Sequence, residues 1–323
     1  KYSGSAREGP RRCAARRGRK RSERQVDRKD RIDAFGAVSL VAFSALLAFN
    51  QVVIAVVNEG LQPVFFAGIR SLGAVFCLVL WFALRRRSLG LQRKDLAAGI
   101  LLGAFFAAEF ILLFVALDLT TVGRASNNFY TMPLWFALFA HWFIPGERIT
   151  ATKAAGQFLA FAGVIIAILW RDKGGEASLL GDILALAGAI GWAILALIAR
   201  TGLKEVAPDR QLLWQVAVSA PILLLAAPLF GPLIRDLAPI HLWGLAFQIV
   251  VVVTLGFAFW LWLLSIYPAA SVAAFSFLSP VFGVFFGWAL LGEAIGLPVL
   301  VALACVAAGL YLINRPPQVP QKV

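Results

Sequence analysis

Long apolar runs separated by short polar loops occupy most of this chain. The runs are about 18–22 residues long and almost free of charge, which is the length that an α-helix needs to cross a bilayer. Prolines and basic residues gather in the loops between them. The pattern predicts an all-α membrane protein with ten transmembrane helices. The predicted spans are residues 34–56, 63–84, 96–115, 125–144, 151–169, 181–200, 211–230, 241–265, 270–291 and 295–313.

Two segments repeat one pattern about 146 residues apart. PLWFALFAHWFIPGE (133–147) and PVFGVFFGWALLGE (280–293) each run from a proline through an apolar aromatic helix to a glutamate. Gly163 and Gly309 each follow that glutamate by sixteen residues. The repeat predicts two copies of a five-helix unit. Because five is odd, the copies must be inverted in the membrane, with a site near the midplane between them. The predicted divisions are 1–31, 32–172, 173–315 and 316–323.

The first 31 residues hold thirteen of the thirty lysines and arginines in the chain. Such a run cannot bury apolar surface, so it is expected to be disordered. Three interpretations stay open: binding to anionic lipid or nucleic acid, a solvated topology signal, or a translation start placed too early. Val26 is one alternative start in the last case.

The remaining charge predicts the orientation. With the N-terminus inside, the inner loops and C-terminal tail carry twelve lysines and arginines, against four in the outer loops. Those four are Arg124, Arg171, Lys173 and Arg235. The positive-inside rule therefore places both termini in the cytoplasm, in an inner or plasma membrane. The hydrophobic fraction of 60% excludes an ordinary soluble domain, because such domains are about 45–50% apolar.

Motifs for nucleotide hydrolysis and metal binding are absent from the sequence. No glycine precedes a lysine, and there is no HExxH or CxxC motif. Cys13, Cys77 and Cys305 have no close spacing, and His141 and His241 fall near span ends. We therefore expect no metal, no cofactor and no nucleic-acid partner. A small-molecule substrate and the lipid bilayer are the expected partners, and the oligomeric state stays open.

Arg70 and Glu109 are the predicted centre of the site, as the charged residues placed deep in spans. Each lies six or seven residues from the outer end of its span, about 9–10 Å deep, so the two depths agree. Four amides are predicted in the same polar layer: Asn50, Gln51, Asn127 and Asn128. The alternative is a structural ion pair with interhelical hydrogen bonds. Transport with unchanged pH dependence in Glu109→Gln would contradict a proton-coupling role.

Further candidates for the substrate wall come from both copies. They are Tyr130, Thr131, Trp192, Gln248, Trp260, Ser276 and Phe277. Together they suit an amphipathic metabolite such as an amino acid, whose ammonium and carboxylate could meet Glu109 and Arg70. The alternative for each aromatic is packing or contact with lipid.

Prolines and glycines suggest where the spans bend and pack. Pro133 and Pro280 occupy matching mid-span positions and are predicted hinges, with a static kink as the alternative. Gly283 and Gly287 form a GxxxG pair that predicts tight packing of span nine. Glu147 and Glu293 are interpreted as caps at the starts of spans five and ten.

These features resemble the ten-span EamA-type branch of the drug/metabolite transporter superfamily. The resemblance rests on the duplicated unit, the prolines of spans four and nine, and the glutamates and glycines after them. LDLTT (117–121) and YPAASVAAFSFLSP (267–280) are also similar to the family pattern. The resemblance implies a secondary active transporter, mostly an exporter of small metabolites, without ATPase activity.

The leading hypothesis is therefore an alternating-access exporter of a small metabolite, with proton antiport as one form of coupling. Two rival classes remain. An intramembrane enzyme acting on lipid or isoprenoid would need clustered Asp, His or Lys. A non-transporting scaffold would lack a solvent-accessible polar cavity lined by both copies.

Overall fold

The computed structural model describes residues 32–145, 149–169, 178–267, 275 and 278–314, and these are almost entirely helical. The α-helices are α1 (Ala34–Gly60), α2 (Pro63–Leu84), α3 (Leu96–Leu119), α4 (Val122–Phe129), α5 (Met132–Phe143), α6 (Ala151–Leu169), α7 (Leu179–Thr201), α8 (Pro208–Ala226), α9 (Pro239–Phe247), α10 (Phe257–Ile266), α11 (Leu278–Leu291) and α12 (Leu297–Asn314). A 3₁₀ turn (Ala227–Phe230) extends α8, and a π-helical stretch (Gln248–Gly256) joins α9 to α10.

Six helical segments in the described residues are long and apolar enough to cross a membrane. Three shorter apolar helices lie in α6, α11 and α12. The predicted all-helical membrane architecture is confirmed in this form, and the number ten stays a prediction.

Local sequence explains where several helices begin. Asp33 accepts a hydrogen bond from Gly36 N at 2.9 Å, which satisfies one free N–H at the start of α1. Gln62 caps α2 in the same way, and Pro63 follows at the first helical position, where its missing N–H is harmless. Ser178 caps α7 through the N–H groups of Leu180 and Gly181.

The fourth predicted span is not one helix. α4 ends at Phe129, and α5 begins at Met132. Pro133 has no N–H to offer the carbonyl four residues earlier, which belongs to Phe129. The Thr131 hydroxyl instead donates to the Asn128 carbonyl at 2.5 Å. The span is therefore interrupted rather than kinked, so helical spacing does not carry one face from α4 into α5.

Pro280 lies near the start of the described part of α11. Residues 276 and 277 are outside the described part of the chain, so the predicted mid-span position of Pro280 and its role as a hinge stay predictions. Irregularity in the second half occurs in the π-helical stretch, where the Thr254 hydroxyl donates to the Ile249 carbonyl at 2.8 Å.

The most extensive helix contacts join the two halves of the chain. α6 packs on α12, α3 on α7 and α8, α2 on α8, and α1 on α11. A Cβ added at Gly163 would lie 2.8 Å from the Ala302 carbonyl oxygen, and one at Gly309 would lie 2.5 Å from the Gly156 carbonyl oxygen. The two glycines identified in the sequence therefore allow α6 and α12 to touch backbone to backbone.

The bundle has two ends, which we call the Gly60 end and the Asp33 end. At the Gly60 end, Arg235 N donates to the Gly60 carbonyl at 3.0 Å, and Ser178 N donates to the Leu119 carbonyl at 2.9 Å. At the Asp33 end, the Tyr267 hydroxyl donates to Asp33 at 2.6 Å. α7 begins at the Gly60 end, where α1 finishes, so these matching helices run in opposite directions.

Candidate functional site

A cavity of about 180 Å³ lies among helices of both halves. Its lining includes six of the predicted site residues, and these are Asn50, Gln51, Arg70, Glu109, Tyr130 and Trp192. The other lining residues are Leu47, Ile54, Phe106, Phe110, Leu113, Phe114, Phe129 and Val252. The cavity therefore combines one cation, one carboxylate and two amides with a largely aromatic wall.

Arg70 is buried, with 7% of its surface exposed. Its guanidinium carbon lies 4.7 Å from the centroid of the Phe110 ring and 5.7 Å from that of Phe114. Such cation–π contacts stabilise a charge without neutralising it. Its Nε has no hydrogen-bond partner among the described residues. The guanidinium thus keeps hydrogen-bonding capacity for a ligand in the cavity.

Glu109 lies on α3 in the same cavity, as its predicted depth required. Its carboxylate is close enough to interact electrostatically with Arg70. Within the described residues, however, the two side chains form no direct salt bridge, and the guanidinium lies over the phenylalanine rings. The predicted structural ion pair is therefore wrong as a direct contact. Gly191 of α7 lies next to Glu109, since a Cβ added to it would lie 3.4 Å from the Glu109 Cβ.

The two amides of α1 connect the cavity to other helices. Gln51 accepts a hydrogen bond from the Ser126 hydroxyl of α4, and its Nε2 has no partner among the described residues. Gln248 Nε2 donates to the side chain of Asn50 and, at 3.2 Å, to its carbonyl. Gln248 therefore acts next to the cavity, through Asn50, and is not part of the lining itself.

An aromatic pair from the two halves closes part of the wall. The rings of Phe129 and Trp192 stack with centroids 5.2 Å apart and planes at 17°. Trp192 thus lies in the predicted wall. Trp260 does not, because it stacks on Phe43 at 4.9 Å in a cluster with Leu40 and Tyr267 towards the Asp33 end.

Three predicted residues of span four lie outside the lining. Asn128 Nδ2 is 3.4 Å from the Asp182 carbonyl, and the Thr131 hydroxyl bonds within its own turn. Asn127 is buried, with neither side-chain polar atom partnered among the described residues. Tyr130 lines the cavity, whereas Asn127, Asn128 and Thr131 do not. Ser276 and Phe277 lie outside the described residues, as does Glu147.

A buried ion pair went unrecognised in the sequence. Arg124, assigned there to an outer loop, lies in α4 with 7% of its surface exposed. Its Nη2 is 2.6 Å from Oδ2 of the fully buried Asp182 of α7, and the Thr120 hydroxyl donates to Asp182 Oδ1 at 2.7 Å. Arg124 was assigned to an outer loop because it lies one residue before predicted span four, and no role was predicted for Asp182, which falls in predicted span six.

Glu293 also differs from its predicted role. Its carboxylate accepts hydrogen bonds from the N–H groups of Val122 and Gly123, the latter at 2.9 Å. It therefore caps α4, in the other half of the chain, and not α12, which follows it. The predicted packing of Gly283 and Gly287 is confirmed, since a Cβ at Gly283 would meet the Ser126 hydroxyl of α4 at 2.1 Å.

Comparison with known proteins identifies the family. The profile of the EamA-like transporter family matches residues 34–169 and matches again over residues 179–315. The chain belongs to the EamA-like transporter family. The duplicated unit read from the sequence is thus a repeat of the EamA unit, and a membrane transport role follows from it.

Curated relatives of the EamA-like chain are transporters by name. It is 21% identical over 280 residues to "Uncharacterized transporter YoaV" of Bacillus subtilis, covering 85% of this chain and 95% of the relative. It is 28% identical over 301 residues to a "Probable amino-acid metabolite efflux pump" of Salmonella typhimurium, covering 87% and 94%. A protein of known crystal structure shares the fold with a TM-score of 0.60 at 20% identity, covering 87% of this chain and 98% of that one.

The EamA-like chain offers no obvious metal site in its described part. No group of three or more His, Cys, Asp or Glu side chains comes together there. The cavity offers charged, amide and aromatic groups, which can bind and orient a small molecule.

Proposed function

We propose that this protein is a secondary active exporter of a small amphipathic metabolite, an amino acid or a similar compound. The observation that carries the proposal is the pairing of Arg70 and Glu109 in one aromatic cavity without direct contact between them. A zwitterion carries one negative and one positive group, so it can neutralise Arg70 and Glu109 at the same time. The relative named as an amino-acid metabolite efflux pump supports the same substrate class.

Arg70 is the group proposed to bind the carboxylate. A guanidinium can hold a carboxylate with two parallel hydrogen bonds, and its cost of burial is reduced by the ring faces of Phe110 and Phe114. Glu109 binds the ammonium group, and a proton takes that place when the substrate leaves. Proton antiport follows from this exchange at one carboxylate.

The proposed cycle is alternating access between two inverted five-span repeats, with ten spans in total and both termini in the cytoplasm. Three features support it: the main helix contacts join the repeats, α1 and α7 run in opposite directions, and the cavity draws residues from both repeats. The interruption at Tyr130 and Thr131 supports Pro133 as a hinge.

An intramembrane enzyme is the second class. It would need a second acid, base or nucleophile beside Glu109, and the cavity lining contains none apart from Tyr130. The family match also favours transport over this alternative. A scaffold without transport activity is disfavoured by a polar cavity formed by both repeats.

The test is flux in proteoliposomes with a panel of amino acids and amines, with and without a pH gradient. We expect at least one zwitterion to move, faster when the gradient favours antiport. Glu109→Gln should abolish the gradient dependence, whereas Glu59→Gln, an exposed carboxylate at the end of α1, should retain it. No flux of any compound, or an unchanged gradient dependence in Glu109→Gln, would contradict the proposal.

A further inference from the structure

The short helix α4 is a separate element within its span. It has eight residues, all of them buried, and the interruption at Tyr130 and Thr131 separates it from α5. A helix of two turns with no continuous hydrogen-bond ladder beyond it depends on its neighbours for its position. Its surroundings therefore decide where it lies.

The neighbours hold α4 through polar contacts, mostly from the second repeat. Glu293, in the loop between α11 and α12, receives the N–H groups of Val122 and Gly123. Asp182 of α7 pairs with Arg124. From the first repeat, Gln51 of α1 receives the Ser126 hydroxyl.

Contact between α4 and α11 is made by small residues. Gly123 lies against Val284, and Ser126 fills the space left by the missing side chain of Gly283, so the two helices approach closely. A Cβ at Gly287 would overlap the Glu293 carboxylate at 2.2 Å, so that glycine makes room for the Glu293 side chain. Glu293 makes the charged contact on this side of α4, and the Arg124–Asp182 pair holds α4 to α7.

The far end of α4 leads directly into the cavity wall. Phe129 is its last residue and stacks on Trp192, and Tyr130 follows it in the lining. A displacement of α4 would therefore move two wall residues and open the cavity towards the Gly60 end.

We propose that α4 is the gate at the Gly60 end and that Glu293 is the latch that holds it shut. The proposal rests on the transport cycle proposed above and assigns the closing contact of one half-cycle to a named side chain. The latch works because a carboxylate bound to free N–H groups at a helix N-terminus combines charge-assisted hydrogen bonds with the favourable helix dipole. Glu293 is a positioning residue, since it acts through α4 and not on the substrate.

The test measures access to the cavity and needs no substrate. Leu47, which lines the cavity, becomes a reporter as Leu47→Cys in a background with Cys13, Cys77 and Cys305 replaced by serine. A membrane-impermeant methanethiosulfonate is applied to right-side-out and to inside-out vesicles. In Glu293→Gln, we expect labelling from the Gly60 face to rise about tenfold, since a neutral amide oxygen is a weaker acceptor of these bonds.

Glu59→Gln at the same end and Glu205→Gln at the Asp33 end are the matched controls. Both carboxylates are exposed, and neither contacts α4, so labelling should stay at the level of the parent. Should Glu293→Gln aggregate in size-exclusion chromatography, Glu293→Asp serves instead. It keeps the charge but shortens the reach to Val122 and Gly123, and we expect a smaller rise in the same direction.

Unchanged labelling in the folded Glu293 variants, or a rise from the Asp33 face alone, would overturn the latch. The two proposals fail separately. Absence of flux from the parent protein overturns the transport function, whatever the labelling rates. Normal flux with unchanged labelling overturns the latch only.

Discussion

Removing one member of the Arg124–Asp182 pair should strongly destabilise the protein. Asp182 is fully buried and receives Nη2 of Arg124 at 2.6 Å, Nε at 3.0 Å and the Thr120 hydroxyl at 2.7 Å. Asp182→Asn removes the carboxylate that receives Arg124, and breaking a buried ion pair by replacing one partner costs about 3–5 kcal/mol. Arg124→Met breaks the same pair from the other side.

The double variant separates this mechanism from simple loss of packing. In the double variant neither member of the pair is left without the other, so Arg124→Met combined with Asp182→Asn should be no less stable than the weaker single variant. Thermal unfolding in detergent is the assay. At about 2 °C per kcal/mol for a chain of this size, each single variant should lower the apparent Tm by about 6–10 °C.

The reasoning also specifies what would refute it. An apparent Tm within about 2 °C of the parent in the single variants would mean that the pair is solvated and contributes little to stability, as surface pairs do. Additive losses in the double variant would mean that the two side chains do not act as a pair.

Three further predictions follow from the structure. Gly309→Ala should lower stability by about 1–3 kcal/mol, because its Cβ would meet the Gly156 carbonyl oxygen at 2.5 Å. Gly90→Ala is the control, since a Cβ there would have nothing within 4 Å, and the apparent Tm of the two variants measures the difference. Trp192→Ala should weaken flux more than Trp260→Ala, since Trp192 alone of the two lines the cavity; equal losses would contradict that assignment. Burial raises the pKa of Glu293 above its usual value, and the N–H groups of Gly123 and Val122 oppose this shift. Labelling of Leu47→Cys should therefore increase as the pH falls through the raised pKa, and it should not change with pH in Glu293→Gln.

The sign of the pH prediction follows from the ionised form. Above its pKa, Glu293 is charged and holds α4; below it, the proton removes the charge and weakens the latch. No other charged group disturbs this titration among the described neighbours, because α11 has no charged side chain and the Arg124 of α4 is paired with Asp182. A decrease in labelling at low pH would contradict the assignment.

Hydropathy and repeat spacing were sufficient to predict the helical membrane fold, and the repeated segments resemble the EamA family that the profile match identifies. The depths of Arg70 and Glu109 also placed both in one cavity, because a helix converts residue number into depth linearly. The depth of a residue, however, does not say how its helix is rotated about its own axis. Phe106, Phe110 and Phe114 of the lining were missed because an apolar residue facing a cavity and one facing lipid look the same in sequence.

Three of the errors in the site lie in span four. Depth in the span placed Asn127 and Asn128 in the polar layer, but depth does not say which side of α4 they occupy. Thr131 was placed on the same face by helical spacing, which the interruption at Tyr130 and Thr131 breaks. Glu293 was assigned the wrong helix to cap, and no role was predicted for Asp182, for another reason. Their partners are more than 50 residues away in sequence, at Val122 and Arg124, so no local pattern could reveal them.

The central claim is that Arg70 binds the carboxylate of a zwitterionic substrate in the cavity. The most direct measurement is proteoliposome flux of the best-transported amino acid and of its carboxamide, in Arg70→Gln and in the control Arg85→Gln, whose guanidinium lies over Trp81 at the exposed end of α2. We predict that Arg70→Gln lowers amino-acid flux at least tenfold, since a hydrogen bond to a charged group contributes about 1.5–3 kcal/mol, and leaves the carboxamide nearly unaffected. Amino-acid flux within twofold of the parent in Arg70→Gln, or equal losses for both compounds, would contradict the claim.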